Sequence, residues 1–118
     1  MEIYVHLKCS TCKKALEFLK QNGIEITVKN IQEKTPSIEE LQKALAFKNN
    51  DIKKLLNTSG LLYKEMNMKS LLLEKSLSDI LSLMSKEGML IKRPFLITPS
   101  FCLVGFKEVE WRQQFPTL

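Results

Sequence analysis

The chain has no apolar run near the roughly 20 residues that a helix needs to cross a bilayer. Its first residues, Met1-Glu2-Ile3-Tyr4-Val5-His6, lack the basic region and long apolar stretch of a secretory leader. A cytoplasmic protein with no membrane partner is the expectation. Glycine and proline number four each, too few for a fibrous or low-complexity chain. Cysteine is limited to Cys9, Cys12 and Cys102. An odd count without a leader argues against a structural disulfide framework. Arginine is scarcer still: Arg93 and Arg112 are the only two among 18 basic residues, so a site that grips an oxyanion with three arginines cannot be built from this chain alone. Long basic runs are also missing. The lysines are scattered from Lys8 to Lys107, never more than two together, so the net charge of +5 reads as solvated surface and not as a phosphate-tracking face. No direct nucleic-acid partner is expected.

What is present suffices for one domain spanning residues 1–118, with 44% apolar and 26% charged residues. Residues 2–7 are rich in β-formers and read as a strand. Cys12, Ala15, Leu16 and Leu19 then recur at helical spacing, and Asn22-Gly23 ends that helix. Ile24, Ile26 and Val28 alternate as a second strand, parallel to the first because a helix connects them. Ser37 with Glu40 forms a capping box for a helix whose buried stripe is Ile38, Leu41 and Leu45. Asn49-Asn50-Asp51 ends it and caps a short helix through Leu56; Asn57–Gly60 is a turn. Residues 61–73 read as a loop and a short helix. Ser76 or Ser78 starts a further helix with Leu77, Ile80, Leu81 and Met84 on one side, ended by Gly88. Phe95–Thr98 and Phe101–Val104 form a tight hairpin about Pro99-Ser100. Lys107–Phe115 is a terminal helix carrying Val109, Trp111 and Phe115. The fold class is α/β: βαβ, a helical insertion, a β-hairpin and a C-terminal helix around a mixed sheet.

The chemistry lies in Cys9-Ser10-Thr11-Cys12. A CxxC between a strand and a helix reads as a redox motif. Thiolate is the reactive form of cysteine, and unpaired N–H groups at a helix start lower the thiol pKa. Cys9, at the loop edge, is the candidate nucleophile, and Cys12, three residues on, the resolving thiol. Lys13-Lys14 places cations in the first turn, where a nearby thiolate offsets their cost; both lysines facing water is the alternative. Zinc held by His6, Cys9, Cys12 and Cys102 is a competing arrangement, although structural zinc sites usually use a second paired motif, and Cys102 stands alone in an apolar strand. Cys102 reads as a small buried residue. Arg93-Pro94 is either plain strand punctuation or a cis bond that brings backbone beside the CxxC.

Tyr4 ahead of Cys9-x-x-Cys12-Lys13-Lys14-Ala15, then Leu56-Asn57-Thr58-Ser59-Gly60, Met89-Leu90-Ile91-Lys92-Arg93-Pro94 and Val104-Gly105-Phe106, resemble the arsenate reductase-like (ArsC/Spx) family, in family order along nearly the whole chain. The resemblance implies a thioredoxin-like fold with a helical insertion. It implies that Pro94 is a cis-proline facing the CxxC, that Arg93 lines the site, and that Ser10, Thr11 and Lys13 help bind substrate. The activity implied is thiol–disulfide exchange by Cys9 and Cys12 in a monomer without bound cofactor or metal. A small thiol or redox protein is the implied partner, with electrons from glutathione, glutaredoxin or thioredoxin. Ser59 stands where arsenate-reducing members have an arginine, and only Arg93 remains, which counts against efficient arsenate reduction. The Spx branch implies the alternative, a redox-switched regulator that binds the RNA polymerase α subunit. Asp51 occupies the place of that branch's contact glycine, and the block patterns look most like a reductase-like branch.

Overall fold

The computed structural model describes residues 1–116. Four strands form one mixed sheet in the order β2-β1-β3-β4. β1 (Glu2–Val5) runs parallel to β2 (Thr27–Asn30) and antiparallel to β3 (Phe95–Ile97), which pairs antiparallel with β4 (Cys102–Val104). Six helices cover the sheet: α1 (Ser10–Gln21), α2 (Ile38–Phe47), α3 (Leu61–Glu65), α4 (Met68–Glu74), α5 (Leu77–Lys86) and α6 (Glu108–Gln114).

Strand alternation sorts the core into two layers. Ile3, Val5, Leu96 and Leu103 point to one face, where Cys12, Ala15, Phe18 and Leu19 of α1 and Trp111 of α6 bury them. Tyr4, Phe95, Ile97 and Cys102 point to the other, under Leu41, Ala44 and Leu45 of α2, Met68 of α4, and Ile80, Leu81 and Met84 of α5. The α6 layer is aromatic. Trp111 meets Phe18 and Phe106 edge to face and donates its indole N–H to the Gly105 carbonyl at 3.1 Å.

Local chemistry sets the boundaries. Ser37 caps α2 by accepting the Glu40 N–H at 3.1 Å while the Glu40 carboxylate accepts the Ser37 N–H at 3.1 Å, so two otherwise orphan donors are satisfied. Asp51 accepts the Lys53 N–H and opens a single 3-10 turn at Ile52–Lys54. Ser76, not Ser78, caps α5 through the Asp79 N–H.

Several expectations shift. β1 ends at Val5 because His6 already turns the chain, its carbonyl accepting the Cys9 N–H at 3.1 Å. β2 begins at Thr27. Ile24 and Ile26 precede it and pack against the α1 layer from a loop. Residues 61–74 hold two helices, split at Asn67, whose backbone is left-handed at φ 50°. Ile38 and Leu77 lie outside the buried stripes assigned to their helices, standing exposed in the first turns of α2 and α5, and Val109 of α6 is exposed while Trp111 is buried. Gly88 does more than end α5. It is buried and starts a 3-10 turn, and a Cβ there would stand 2.5 Å from the Ile31 carbonyl oxygen. In the hairpin, Thr98 N–H bonds the Phe101 carbonyl at 2.9 Å, and Thr98 Oγ1 accepts the Ser100 and Phe101 N–H groups, closing the turn around Pro99-Ser100. Among the described residues no helix is long and apolar enough to cross a membrane.

Candidate active site

Cys9 occupies the break between β1 and α1. It is the residue immediately before the helix, extended at φ −90° and ψ 116°, and its Sγ accepts the Cys12 N–H at 3.3 Å. A sulfur thus stands where serine or aspartate usually caps. The first turn of α1 carries no acidic residue, so that sulfur is the group placed to meet the positive end of the helix. Burial pushes the Cys9 thiol up. Hydrogen bonds from the Cys12 thiol and from the Cys12 and Thr11 backbone, together with the Arg93 charge, outweigh it and hold the thiol below the ordinary range.

Cys12 is one turn further on, 1% exposed, in the core layer with Ala15 and Phe18. Burial pushes its thiol up to about 12, and the neighbouring Cys9 adds to the rise, against a lowering hydrogen bond from the His6 backbone and the Arg93 charge. Two identical side chains three residues apart are thereby driven in opposite directions, because one caps the helix and the other faces its core. Both are free thiols.

Arg93 approaches from the loop before β3. Its Nη1 donates to the carbonyls of Ile91 at 3.1 Å and Met89 at 3.4 Å, and its Nε is buried without a partner. The Arg93–Pro94 peptide is cis, and the Pro94 carbonyl accepts the Gly105 N–H at 2.9 Å. Gly105 has φ +75°, a left-handed conformation that suits glycine, and a Cβ there would lie 3.0 Å from Lys92 Cε. The loop is tied to the insertion by Lys92 N–H to the Leu55 carbonyl and Asn57 N–H to the Leu90 carbonyl, both 2.8 Å.

These segments enclose a cavity of about 350 Å³. Cys9 and Thr11 contribute from α1, Asn57, Lys92 and Arg93 from the two tied loops, and Val104 to Lys107 from the end of β4. Among the described residues its wall holds three cations and no carboxylate. Of the residues singled out in the sequence, Cys9, Thr11 and Arg93 meet here. Cys12 lies beneath, and Pro94 is buried behind the wall. Ser10 and Lys13 are exposed and do not line the cavity. Lys13 is one position past the core-facing Cys12, about 100° round the helix. With Lys14, Glu17 and Phe18 it borders a separate groove of about 500 Å³. The cavity also uses Asn57 and Lys107, which sequence reasoning missed. Asn57 reads as a turn residue, and its carbonyl does accept the Gly60 N–H at 3.0 Å.

The four-ligand zinc arrangement does not assemble. Cys102 packs in the layer under α2 and α5, across the sheet from Cys12, with burial raising its thiol to about 12. The His6 ring accepts the Lys8 N–H through Nδ1 at 3.1 Å.

Comparison with known proteins agrees with this architecture. The uncharacterized protein YusI of Bacillus subtilis is 40% identical over 113 residues, covering 96% of each chain. The global transcriptional regulator Spx of Enterococcus faecalis is 29% identical over 98% of this chain and 86% of its own length. The crystal structure of an ArsC family related protein from Bacteroides fragilis superposes with a TM-score of 0.87 at 38% identity, over 95% of this chain and 94% of that one. The fold is thioredoxin-like. The ArsC family model matches residues 4–114, and the chain belongs to the ArsC family.

Proposed function

We propose that this chain is a cytoplasmic thiol–disulfide oxidoreductase in which Cys9 attacks and Cys12 resolves. The observation that carries the reading is the opposed setting of the two thiols: Cys9 caps α1 at the wall of a cation-lined cavity, and Cys12 is buried in the core one turn below, where burial pushes its thiol up. The Cys9 thiolate attacks one sulfur of a substrate disulfide. That S–S bond breaks, a Cys9–substrate disulfide forms, and the other half leaves as a thiolate that takes a proton from water. Engaging Cys9 removes the charge that helped raise Cys12. Cys12 then loses its proton to solvent and attacks the Cys9 sulfur, releasing the second substrate thiol and leaving a Cys9–Cys12 disulfide. Glutathione, glutaredoxin or thioredoxin restores both thiols with two electrons. Arg93 stabilises the Cys9 thiolate, Thr11 and Pro94 shape the surroundings of the sulfurs, and the chain works as a monomer without bound cofactor. Arsenate lacks the three-arginine grip it would need; Lys92 and Lys107 offer point charges where planar forks are missing.

The test is a reductant-coupled assay offering arsenate, a glutathione mixed disulfide and a generic protein disulfide side by side. Disulfide reduction is expected, with arsenate the poorest substrate. Cys9→Ser abolishes all exchange, and Cys12→Ser traps a mixed disulfide visible by mass spectrometry. A Cys12→Ser protein that turns over normally, or a Cys9→Ser protein that retains exchange, refutes the assignment.

Likeness to Spx along 98% of the chain favours a second reading, in which the same pair is a sensor on a protein that contacts the RNA polymerase α subunit. Oxidation-dependent capture of polymerase, without turnover by any reductant, is the result that selects it.

A further inference from the structure

The cavity over Cys9 shares a wall with a second one of about 220 Å³: Lys92, Val104 and Lys107 border both. The second adds Lys48 from the end of α2, Lys54 from the 3-10 turn and Glu110 from α6. Together with Arg93 at the sulfur end, five cations line these two adjoining cavities, a trough in which Glu110 is the one carboxylate among the described residues. At the chain's overall ratio of 18 basic to 13 acidic residues, five cations would carry roughly three or four carboxylates with them. Nor are the five neutralised by pairing. The ion pairs among the described residues are Glu2–Lys29 and Glu108–Arg112, and neither touches the trough. The fold creates this concentration from lysines scattered through the sequence. Gathering like charges costs stability through mutual repulsion, which an anionic occupant relieves.

Taking the thiol–disulfide reading of Cys9 as its basis, we propose that the trough is a specificity site for acidic peptide disulfides. Lys92, Arg93 and Lys107 flank the segment at the reacting sulfur, and Lys48 and Lys54 receive aspartate or glutamate side chains a few residues away. A peptide suits it better than a nucleic acid. Among the described residues the far cavity contains no aromatic side chain on which a base could stack, and the Glu110 carboxylate there can accept a peptide N–H. The chemistry remains that of Cys9: its thiolate joins the peptide's sulfur, and the peptide's former partner leaves as a thiol after taking a proton from water.

The experiment compares two peptide disulfides of equal length, with aspartates or lysines placed two to four residues from the cysteine, by their single-turnover rates with the full chain. The acidic peptide is expected to react about tenfold faster at low salt, and the advantage should largely vanish near 0.5 M salt. The ratio of the two rates, taken within each variant, should fall to near one in K48E/K54E and persist in K69E/K75E, which makes the same charge change on α4 and at its C-terminal cap, away from the trough. A ratio near one in the parent protein overturns the proposal, as does an equal loss in K69E/K75E, which assigns the effect to net charge. Displacement of the acidic peptide by a single-stranded oligonucleotide at concentrations below the peptide's own dissociation constant also overturns it. A cysteine-to-serine version of the acidic peptide separates this proposal from the reading beneath it. Binding by fluorescence anisotropy that depends on Lys48 and Lys54, with no exchange toward neutral 2-hydroxyethyl disulfide, upholds the acidic-peptide site and refutes the redox reading. Exchange with that neutral disulfide but no acidic preference does the reverse.

Discussion

Alkylation with iodoacetamide puts the opposed thiols to a quantitative test. Cys12 is pushed up to about 12, so at pH 7 only about one molecule in 10⁵ carries its thiolate. An ordinary thiol at about 8.5 is roughly 3% thiolate at the same pH, and Cys9 is shifted toward the ionised form by its hydrogen bonds and Arg93. Between an ordinary thiol and Cys12 the difference in thiolate population is about 3,000-fold. A more basic thiolate is intrinsically the better nucleophile; with a Brønsted slope of about 0.4–0.5, over about 3.5 units this returns roughly 25- to 55-fold to Cys12. Cys9 should therefore be modified at least about 50-fold faster, and the 1% exposure of Cys12 widens the margin. Cys102, also pushed up to about 12 by burial, is an internal reference expected to be as slow as Cys12. The assay is quenched alkylation followed by peptide mass spectrometry from pH 5 to 10. The Cys9 rate should follow its thiolate fraction, with a midpoint below that of an unstructured cysteine peptide measured alongside and a decline as pH falls through it. Cys12 reacting as fast as Cys9, or a Cys9 midpoint no lower than that of the unstructured peptide, refutes the argument that helix capping and Arg93 overcome the cost of burying the sulfur.

Arg93→Met removes a charge that lowers Cys9, so the midpoint of the same alkylation profile should move upward; an unmoved profile denies the guanidinium that role. The depressed folded value of Cys9 also makes a linkage prediction: its thiolate stabilises the fold fully above the unfolded thiol value of about 8.5, and this contribution is lost as pH falls through the folded value. Urea unfolding of the reduced protein should accordingly show the difference between parent and Cys9→Ser growing from pH 6 to pH 9. Gly88→Ala presses a Cβ onto the Ile31 carbonyl and should cost about 1–3 kcal/mol in the same measurement, with the alkylation profile of Cys9 unchanged. Trp111→Ala should cost about 3–5 kcal/mol, because it empties the aromatic layer and frees the Gly105 carbonyl.

Much of the fold could be read in the sequence because its signals are local. The capping pair Ser37 and Glu40, the Asn22-Gly23 stop and the turn about Pro99-Ser100 each act within a few residues, and each operates at the expected place. The local pattern misleads where a tertiary contact overrides it. Ile24 and Ile26 alternate like a strand, yet they reach the α1 layer from a loop, because the β1 ladder accepts partners only from Thr27 onward. Leu77 fits a helical stripe by spacing, but in the first turn of α5 it stands at 46% exposure. Gly88 looks like a helix stop, whereas its lack of a side chain is required by the Ile31 backbone 57 residues earlier, a constraint no window of sequence contains.

The site divides along the same line. Cys9 and Cys12 are legible because strand, cap and helix follow one another directly, and three residues of spacing suffice to put one thiol at the helix end and the other in the core. Arg93 was visible through its proline. Asn57 and Lys107 were not, since each joins the cavity through a long-range closure: Asn57 N–H to the Leu90 carbonyl, and the left-handed turn at Gly105 held by the Pro94 carbonyl. Cys102 shows why composition alone misleads. Its thiol could belong to a metal set or a redox relay on paper, but β4 alternates, and Leu103 takes the face that α1 and α6 cover. A shift of one residue in the register of β4 would carry Cys102 to the side of the CxxC. The pairing of Phe95 with Val104 and Ile97 with Cys102 is what keeps this third thiol across the sheet from the two that are chemically poised.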